Sequence, residues 1–306
     1  RLMRGLLKAG YLEDWKWNAT YSGVPQGGVI SPILSNLVLD RLDSFVDGEL
    51  IPEHTRGSQR KTNPPYVALT VAASRARQKG DREQARRLSQ QAQTLPSRDP
   101  YDPNFRRLWY VRYADDFLLG YTGPKSEAVE IKQQISQFLG DRLKLQLSNE
   151  KTLITNGREE RAKFLGYEVH IHRADHKHDW RGQRCINGSV GLRVPQAVVR
   201  KHCTKYMRGG KPVHLPERLN DGAYGIVARY QSEYSGVVQY YRLAYNLHTL
   251  SRVKWVAEQS LTKTLANKLR TSRREIYRRF RGELVTPEGS YKVLMVTVDR
   301  GPKKKP

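Results

Sequence analysis

Apolar residues recur at helical spacing from Leu2 through Leu6 and Leu7 to Tyr11, and Gly10 is placed to stop that helix. After a glycine-bearing loop a second helix is marked by Ser31 as its cap and Pro32 at its first position. Its buried stripe is predicted at Leu34, Leu37, Val38, Leu42, Phe45 and Val46. Asp40, Asp43 and Asp47 fall on another face and read as a solvated surface rather than a metal cluster. Residues 51–104 are polar and weakly periodic. Within them Ala72 to Ala92 reads as one exposed basic helix, ended by the turns at Leu95-Pro96-Ser97 and Asp99 to Pro103. The stretch is either an insertion or a nucleic-acid-facing subdomain, with a plainly solvated helix as the alternative.

The strongest strand signal follows. Leu108 to Arg112 and Phe117 to Tyr121 flank Tyr113-Ala114-Asp115-Asp116, a short hairpin with two acids at its tip. Val129, Ile131, Ile135, Phe138 and Leu139 mark a helix, Leu143, Leu145 and Leu147 alternate as a half-buried strand, and Lys163 to His172 reads as a further strand. After Pro195 the pattern is helical, over 196–207, 217–244 and 250–281, without a strand between them. The predicted fold class is therefore α+β, an antiparallel sheet covered by helices followed by an all-α part, with a boundary in the 185–195 region.

Charge adds the partner. The 306 residues carry 54 Lys+Arg against 30 Asp+Glu, a net charge of +24, which a polyanion would neutralise. Five Trp and 17 Tyr supply packing, and rings that can stack on bases. The two cysteines, Cys185 and Cys203, make no disulfide framework, and no stretch reaches the ~20 apolar residues of a membrane span. The expected location is cytoplasmic or nucleoid-associated, or the matrix of an organelle. The chain begins at Arg1 within a helical pattern and ends on a short basic tail, so both ends read as cut. His170, His172, His176, His178 and Cys185 lie close in sequence, but match no closed four-ligand spacing and read as a charged loop between strands.

Two adjacent carboxylates suggest a specific chemistry. Nucleotidyl transfer uses divalent ions that activate a 3′-hydroxyl and hold a triphosphate, and hard ions such as Mg²⁺ take carboxylate oxygens. Neighbours within a strand point to opposite faces, whereas at a hairpin tip they need not.

Tyr113-Ala114-Asp115-Asp116, preceded by Tyr110-Val111-Arg112, resembles the YxDD signature of group II intron reverse transcriptase/maturases. Gly23 to Pro32 resembles that family's PQGG…SP block, Leu147 to Thr152 the block that brings a lysine to the triphosphate, and Phe164-Leu165-Gly166-Tyr167 the primer-grip strand. Ser235 to Tyr241, Trp255 and Ser260 to Lys268 resemble the thumb/maturase region. The resemblance covers nearly the whole chain and implies a right-hand polymerase palm with partial fingers over residues 1–190 and a helical thumb/maturase domain over 191–306.

It implies Asp115 and Asp116 as metal ligands for Mg²⁺ or Mn²⁺, Asp115 the firmer, and Lys151 as a catalytic group at the pyrophosphate. Tyr113, Ala114, Gln26, Gly27, Gly28, Phe164, Leu165 and Gly166 would line the nucleotide and primer-template path. Lys263, Lys268, Arg270, Arg273, Arg274 and Arg278 would meet RNA, since residues 251–281 hold ten Lys or Arg against two Glu. The implied partners are group II intron RNA, an RNA template with a DNA primer, and deoxynucleotides. The family's third carboxylate lies on an earlier strand that has no counterpart here. A homodimer or a second chain is therefore one expectation, and a catalytically silent RNA-binding maturase the rival reading.

Overall fold

The structure, a computed structural model, describes residues 4–5, 8, 10–19, 30–173, 177, 179–180, 186–287 and 289–297. The first predicted helix lies mostly outside these, as do Gln26, Gly27, Gly28, His176, His178 and Cys185. Gly10 takes a left-handed φ of 71°, and Tyr11 opens a strand rather than closing a helix. The chain forms two compact units, one of Arg1–Asn156 with Arg173–Asn187, the other of Gly157–His172 with Gly188–Pro306. Among the described residues no helix is long and apolar enough to cross a membrane.

In the first unit, strands β1 (Tyr11–Glu13) and β2 (Lys16–Asn18) form a small hairpin. Helix α1 (Ser31–Phe45) begins on Ser31 itself, with Ile30 at the cap position, and continues through a π-helical turn at Val46–Leu50. Only its second half is buried. Leu42, Val46 and Leu50 pack with Leu108, Ile131, Ile135 and Leu139, and the Phe45 and Phe138 rings stack 4.1 Å apart. Leu37 and Val38, predicted as core, are exposed, at 66% for Leu37.

The single basic helix expected over 72–92 is two, α2 (Pro64–Gln78) and α3 (Arg82–Thr94). Gly80, at φ 82°, turns the chain, and the Asp81 carboxylate caps α3 by accepting from Gln84 N at 2.9 Å. Ala73, Ala76, Ala85 and Ala92 are buried, because only small side chains let two such polar helices approach closely.

Strands β3 (Arg107–Tyr113) and β4 (Asp116–Thr122) form the expected hairpin, and α4 (Lys125–Phe138) follows. The strand expected at 143–147 is absent. A π-helical turn, Leu139–Leu143, prolongs α4, and left-handed Lys144 (φ 56°) ends it as Leu145 N donates to the Leu139 carbonyl. Leu143 and Leu147 still reach the core, which explains their apolar character without a strand.

The second unit opens on β5 (Ala162–Phe164), β6 (Tyr167–Ile171) and β7 (Val190–Arg193), one antiparallel three-stranded sheet. The strand expected over 163–172 is a two-residue hairpin turning at Leu165 (φ 47°) and Gly166 (φ 74°). The expected 190/191 boundary falls inside β7. The palm sheet anticipated as one layer is thus a two-stranded sheet in one unit and a three-stranded sheet in the other.

Helices α5 (Gln196–Thr204), α6 (Ala223–Tyr240), α7 (Ser251–Lys268) and α8 (Arg273–Phe280) follow. Strands β8 (Met207–Arg208) and β9 (Lys211–Pro212) come between α5 and α6, and β10 (Arg281–Thr286) pairs with β11 (Gly289–Leu294) at the end. The unbroken helix expected over 250–281 stops at Lys268. Arg270 is left-handed, and Ser272 caps α8 by accepting from Glu275 N. The capping-box pair Ser272 and Glu275 carried that signal in the sequence.

Helix α7 is the axis of this unit, with Val253, Val256, Leu261 and Leu265 in its core. Its buried polar groups are satisfied. Ser260 and Thr264 meet the Tyr230 hydroxyl at 2.8 and 3.1 Å, and Thr264 accepts from Leu215 N at 3.0 Å.

Beside it the Arg218 guanidinium, 6% exposed, lies 4.2 Å from the Tyr230 ring centroid and donates to Glu233 at 2.7 Å. Burial alone would raise the Glu233 carboxyl, but hydrogen bonds from Lys205, Tyr206 and Arg218 hold it at about 2.

Two outcomes are expected. Leu265→Ala, at a fully buried site, should lose about 2–5 kcal/mol of stability in chemical denaturation. Because the Glu233 pKa is depressed on folding, its contribution is complete above the ordinary carboxyl value near 4.5 and is lost as pH falls towards 2. Urea titrations at steps from pH 7 to pH 2 should show Glu233→Gln destabilised at neutral pH, with a smaller loss than the natural protein between pH 4.5 and 2.

Candidate functional site

Strand β3 alternates, so Leu108, Tyr110 and Arg112 face α1, while Trp109, Val111 and Tyr113 face outward, at 71%, 50% and 67% exposure. Tyr113 pairs with Asp116 across the hairpin, and directly opposed side chains share a face. Asp116 therefore stands on the outward face beside Tyr113. The turn itself is Ala114-Asp115, with Ala114 at φ 54°. A left-handed conformation costs a non-glycine residue about 1–2 kcal/mol, so something must hold it.

That something is Arg112. Its Nη1 donates to the Ala114 carbonyl at 2.6 Å and to Asn36 Oδ1 at 3.0 Å, while Nε and Nη2 form a fork on the Asp43 carboxylate at 2.7 and 2.5 Å. The Tyr110 hydroxyl donates to Asp43 Oδ1 at 2.8 Å. The Arg112 hydrogen bonds, joined by that from Tyr110, hold the Asp43 carboxyl below its usual range against the effect of burial. Burial first, then the bond to Asp43, pushes the Tyr110 phenol up. Asp43 is thus not part of a solvated face, as its spacing suggested, whereas Asp40 and Asp47 are exposed.

At the other end of the hairpin Arg106 forks onto Glu127 of α4 at 2.7 and 3.1 Å, and the Tyr121 hydroxyl also donates to Glu127. The strands are braced at base and tip.

Asp115 and Asp116 are both exposed, and neither has a hydrogen-bond or ion-pair partner among the described residues. Their donor set is two free carboxylates on a fixed turn, the hard oxygens that Mg²⁺ and Mn²⁺ take, and it fits as part of a six-oxygen shell. Asp43 does not extend it, because both of its oxygens are engaged by Arg112. Among the described residues no group of three or more His, Cys, Asp or Glu is arranged to hold a metal.

Lys151 is exposed in the turn after Asn149. Its loop is fixed by Thr152, whose carbonyl accepts from Lys132 Nζ at 2.6 Å.

In the second unit the Phe164-Leu165-Gly166 turn is seated on the end of α6. The Tyr240 hydroxyl donates to the Leu165 carbonyl at 2.8 Å and that of Tyr241 to the Gly166 carbonyl at 3.2 Å, while the Tyr167 hydroxyl donates to the Tyr240 carbonyl. A Cβ on Gly166 would come within 3.3 Å of the Tyr241 hydroxyl, on a backbone already left-handed. Glycine is therefore favoured there.

The six basic candidates divide. Lys263 and Lys268 are partly buried, with Nζ on the Pro212 and Leu219 carbonyls at 2.6 and 2.8 Å, and Arg273 is bound to Thr262 and Gln259. Arg278 pairs with Glu275 at 2.8 Å. Arg270 and Arg274 are exposed and without such partners. Lys263, Arg270 and Arg273 nevertheless line one open cleft of about 510 Å³ with His214, Asn267 and Thr271. His170 and His172 pack edge to face at 4.7 Å, and burial first, with the neighbouring His172, lowers the His170 pKa.

Residues 196–299 match the family model described as Type II intron maturase. Over 285 residues the chain is 34% identical to the group II intron-encoded protein LtrA of Lactococcus lactis subsp. cremoris, covering 88% of this chain and 47% of that protein. It is 32% identical over 286 residues to a putative COX1/OXI3 intron 1 protein of Saccharomyces cerevisiae, covering 88% of this chain and 34% of that one. A 125-residue stretch, 40% of this chain and 15% of the relative, is 26% identical to nuclear intron maturase 2, mitochondrial, of Arabidopsis thaliana. The chain spans about half, or less, of the length of these curated relatives.

Proposed function

Because the chain belongs to the family of group II intron-encoded reverse transcriptase/maturase proteins, we propose that it binds intron RNA through its helical unit and carries on the Tyr113–Asp116 hairpin two carboxylates of an RNA-copying site. The observation that carries the second half is the uncommitted pair Asp115 and Asp116 on a turn whose backbone is held from below. In this reading residues 1–190 act as palm and partial fingers, and residues 191–306 as thumb and maturase domain.

A divalent ion bound there would activate the primer 3′-hydroxyl and offset the charge of the incoming triphosphate. The chain's own residues do the rest. Asp115 and Asp116 hold the ion, and Tyr113, with Val111 and Trp109 behind it, offers an outward ring surface against which a primer terminus can lie. Lys151, exposed and unpaired, can place a proton or a positive charge at the leaving pyrophosphate. The Leu165-Gly166 turn, pinned by two tyrosines, presents a close, rigid backbone to the primer strand. For intron RNA, Arg270, which lines the α7–α8 cleft, and exposed Arg274 at the start of α8 position the protein on phosphates without reading sequence.

The match of residues 196–299 to a maturase family model favours a second reading, a splicing cofactor that binds RNA without copying it.

Primer extension on an RNA template with Mg²⁺ separates the two. The first reading expects extension by the natural protein, its loss in Asp115→Ala, and undiminished intron RNA binding by that variant. No extension by the natural protein leaves the cofactor reading. Filter binding over a salt series should show Arg270→Ala/Arg274→Ala weakening intron RNA binding and reducing the log–log salt slope by about 2, one per lost phosphate contact.

A further inference from the structure

The fork of Arg112 on Asp43 and the single bond it throws to the Ala114 carbonyl are hard to account for as an ordinary strand-to-helix ion pair. An ion pair of that kind needs only the two charges. Here one guanidinium spends its Nε and Nη2 on Asp43 and its Nη1 on Asn36 and on the one backbone carbonyl that lies inside the turn. Asn36 and Asp43 are seven residues apart on α1, two turns along a single stripe, so both anchors are presented by one rigid element. Tyr110, two residues before Arg112 on the same strand face, completes Asp43.

We propose that Arg112 is the positioning residue of the acid pair, a clamp that holds the left-handed Ala114 turn against α1 so that Asp115 and Asp116 keep a fixed direction towards a bound divalent cation. The proposal rests on the reading of Asp115 and Asp116 as cation ligands.

Charge is part of the device. A bare guanidinium beside two carboxylates would compete with the cation for them. Asp43 neutralises it, and the fork holds the guanidinium in a plane that leaves one Nη1 edge for Ala114 and Asn36. The same saturation keeps Asp43 from turning towards the metal. Lysine could keep the charge and one contact, but its single ammonium cannot hold Asp43 in a fork and reach the turn in the same plane. Asp43→Asn keeps the shape and removes the charge that holds the fork.

The test compares the full chain with Arg112→Lys and Asp43→Asn, using thermal melting, hydrogen–deuterium exchange of the amides in residues 113–117, and Mn²⁺ titration followed by electron paramagnetic resonance. The expected result in both variants is at least tenfold faster exchange confined to the turn, an unchanged melting temperature, and weaker Mn²⁺ binding. Where the natural protein extends primers, Arg112→Lys should lower extension roughly 10- to 100-fold, as loss of a group supporting metal ligands does elsewhere. Unchanged turn exchange in both variants overturns the clamp. So does faster exchange spread over the whole first unit with a lowered melting temperature, which would make Arg112 a structural ion pair only. Failure of the copying reading shows itself separately, as a natural protein that does not extend primers although its turn still loosens in Arg112→Lys.

Discussion

Two neighbouring carboxylates can converge only where the strand stops alternating, and a two-residue turn is the shortest place for that. In this chain the turn is also strained, because its first residue, Ala114, is left-handed without being glycine. Helix α1 and the hairpin strands serve that constraint. Leu42, Val46 and Leu50 bury the second half of α1 against Leu108, which sets the helix under β3. Period-two alternation then directs Tyr110 and Arg112 at the helix, and Asp43 and Asn36 receive them. The Arg106–Glu127 fork braces the opposite end of the hairpin. Apolar burial provides the bulk of the stability, while the polar contacts set direction.

The helical unit solves a different problem, a strongly cationic chain that must still form a core. Helix α7 buries an apolar stripe and also Ser260, Thr262 and Thr264, each returned to a backbone carbonyl or to Tyr230. Several lysines and arginines are drawn into the same framework. Lys263 and Lys268 cap backbone carbonyls, Arg218 pairs with Glu233, and Arg273 is held by the Thr262 hydroxyl and the Gln259 amide oxygen. Counting charges along residues 251–281 therefore overstates the surface free for RNA. Among the described residues of this stretch, Arg270, left-handed at the break after α7, and Arg274 near the start of α8 are left open, as are Arg252, Lys254 and Arg281.

Much of this was legible in the sequence. The β3–β4 hairpin, its acid pair and the helical character after Pro195 follow from local alternation, apolar spacing and turn residues, because those signals act over a few residues. Helix breaks were harder. Gly80-Asp81 and Ser272 with Glu275 were readable stop and start signals, yet periodicity on either side ran through them, and one helix was expected where two exist. The alternating Leu143, Leu145 and Leu147 misled for a related reason. Two of the three are half-buried by a helix end and the loop beyond it, and period-two spacing cannot tell that from a strand.

The amino-acid sequence by itself determined the family, the acid pair and the cationic balance, since each is written in adjacent residues or in composition. Only the tertiary structure decided what Asp43 does, because its partner Arg112 lies 69 residues away and a helical wheel shows merely that Asp40, Asp43 and Asp47 share a polar side. The same holds for Tyr240 and Tyr241, whose hydroxyls find the Leu165-Gly166 turn 75 residues earlier. Spacing along a chain reports which side of an element a residue occupies. Which other element meets that side is set by how the apolar faces pack, and no local pattern contains it.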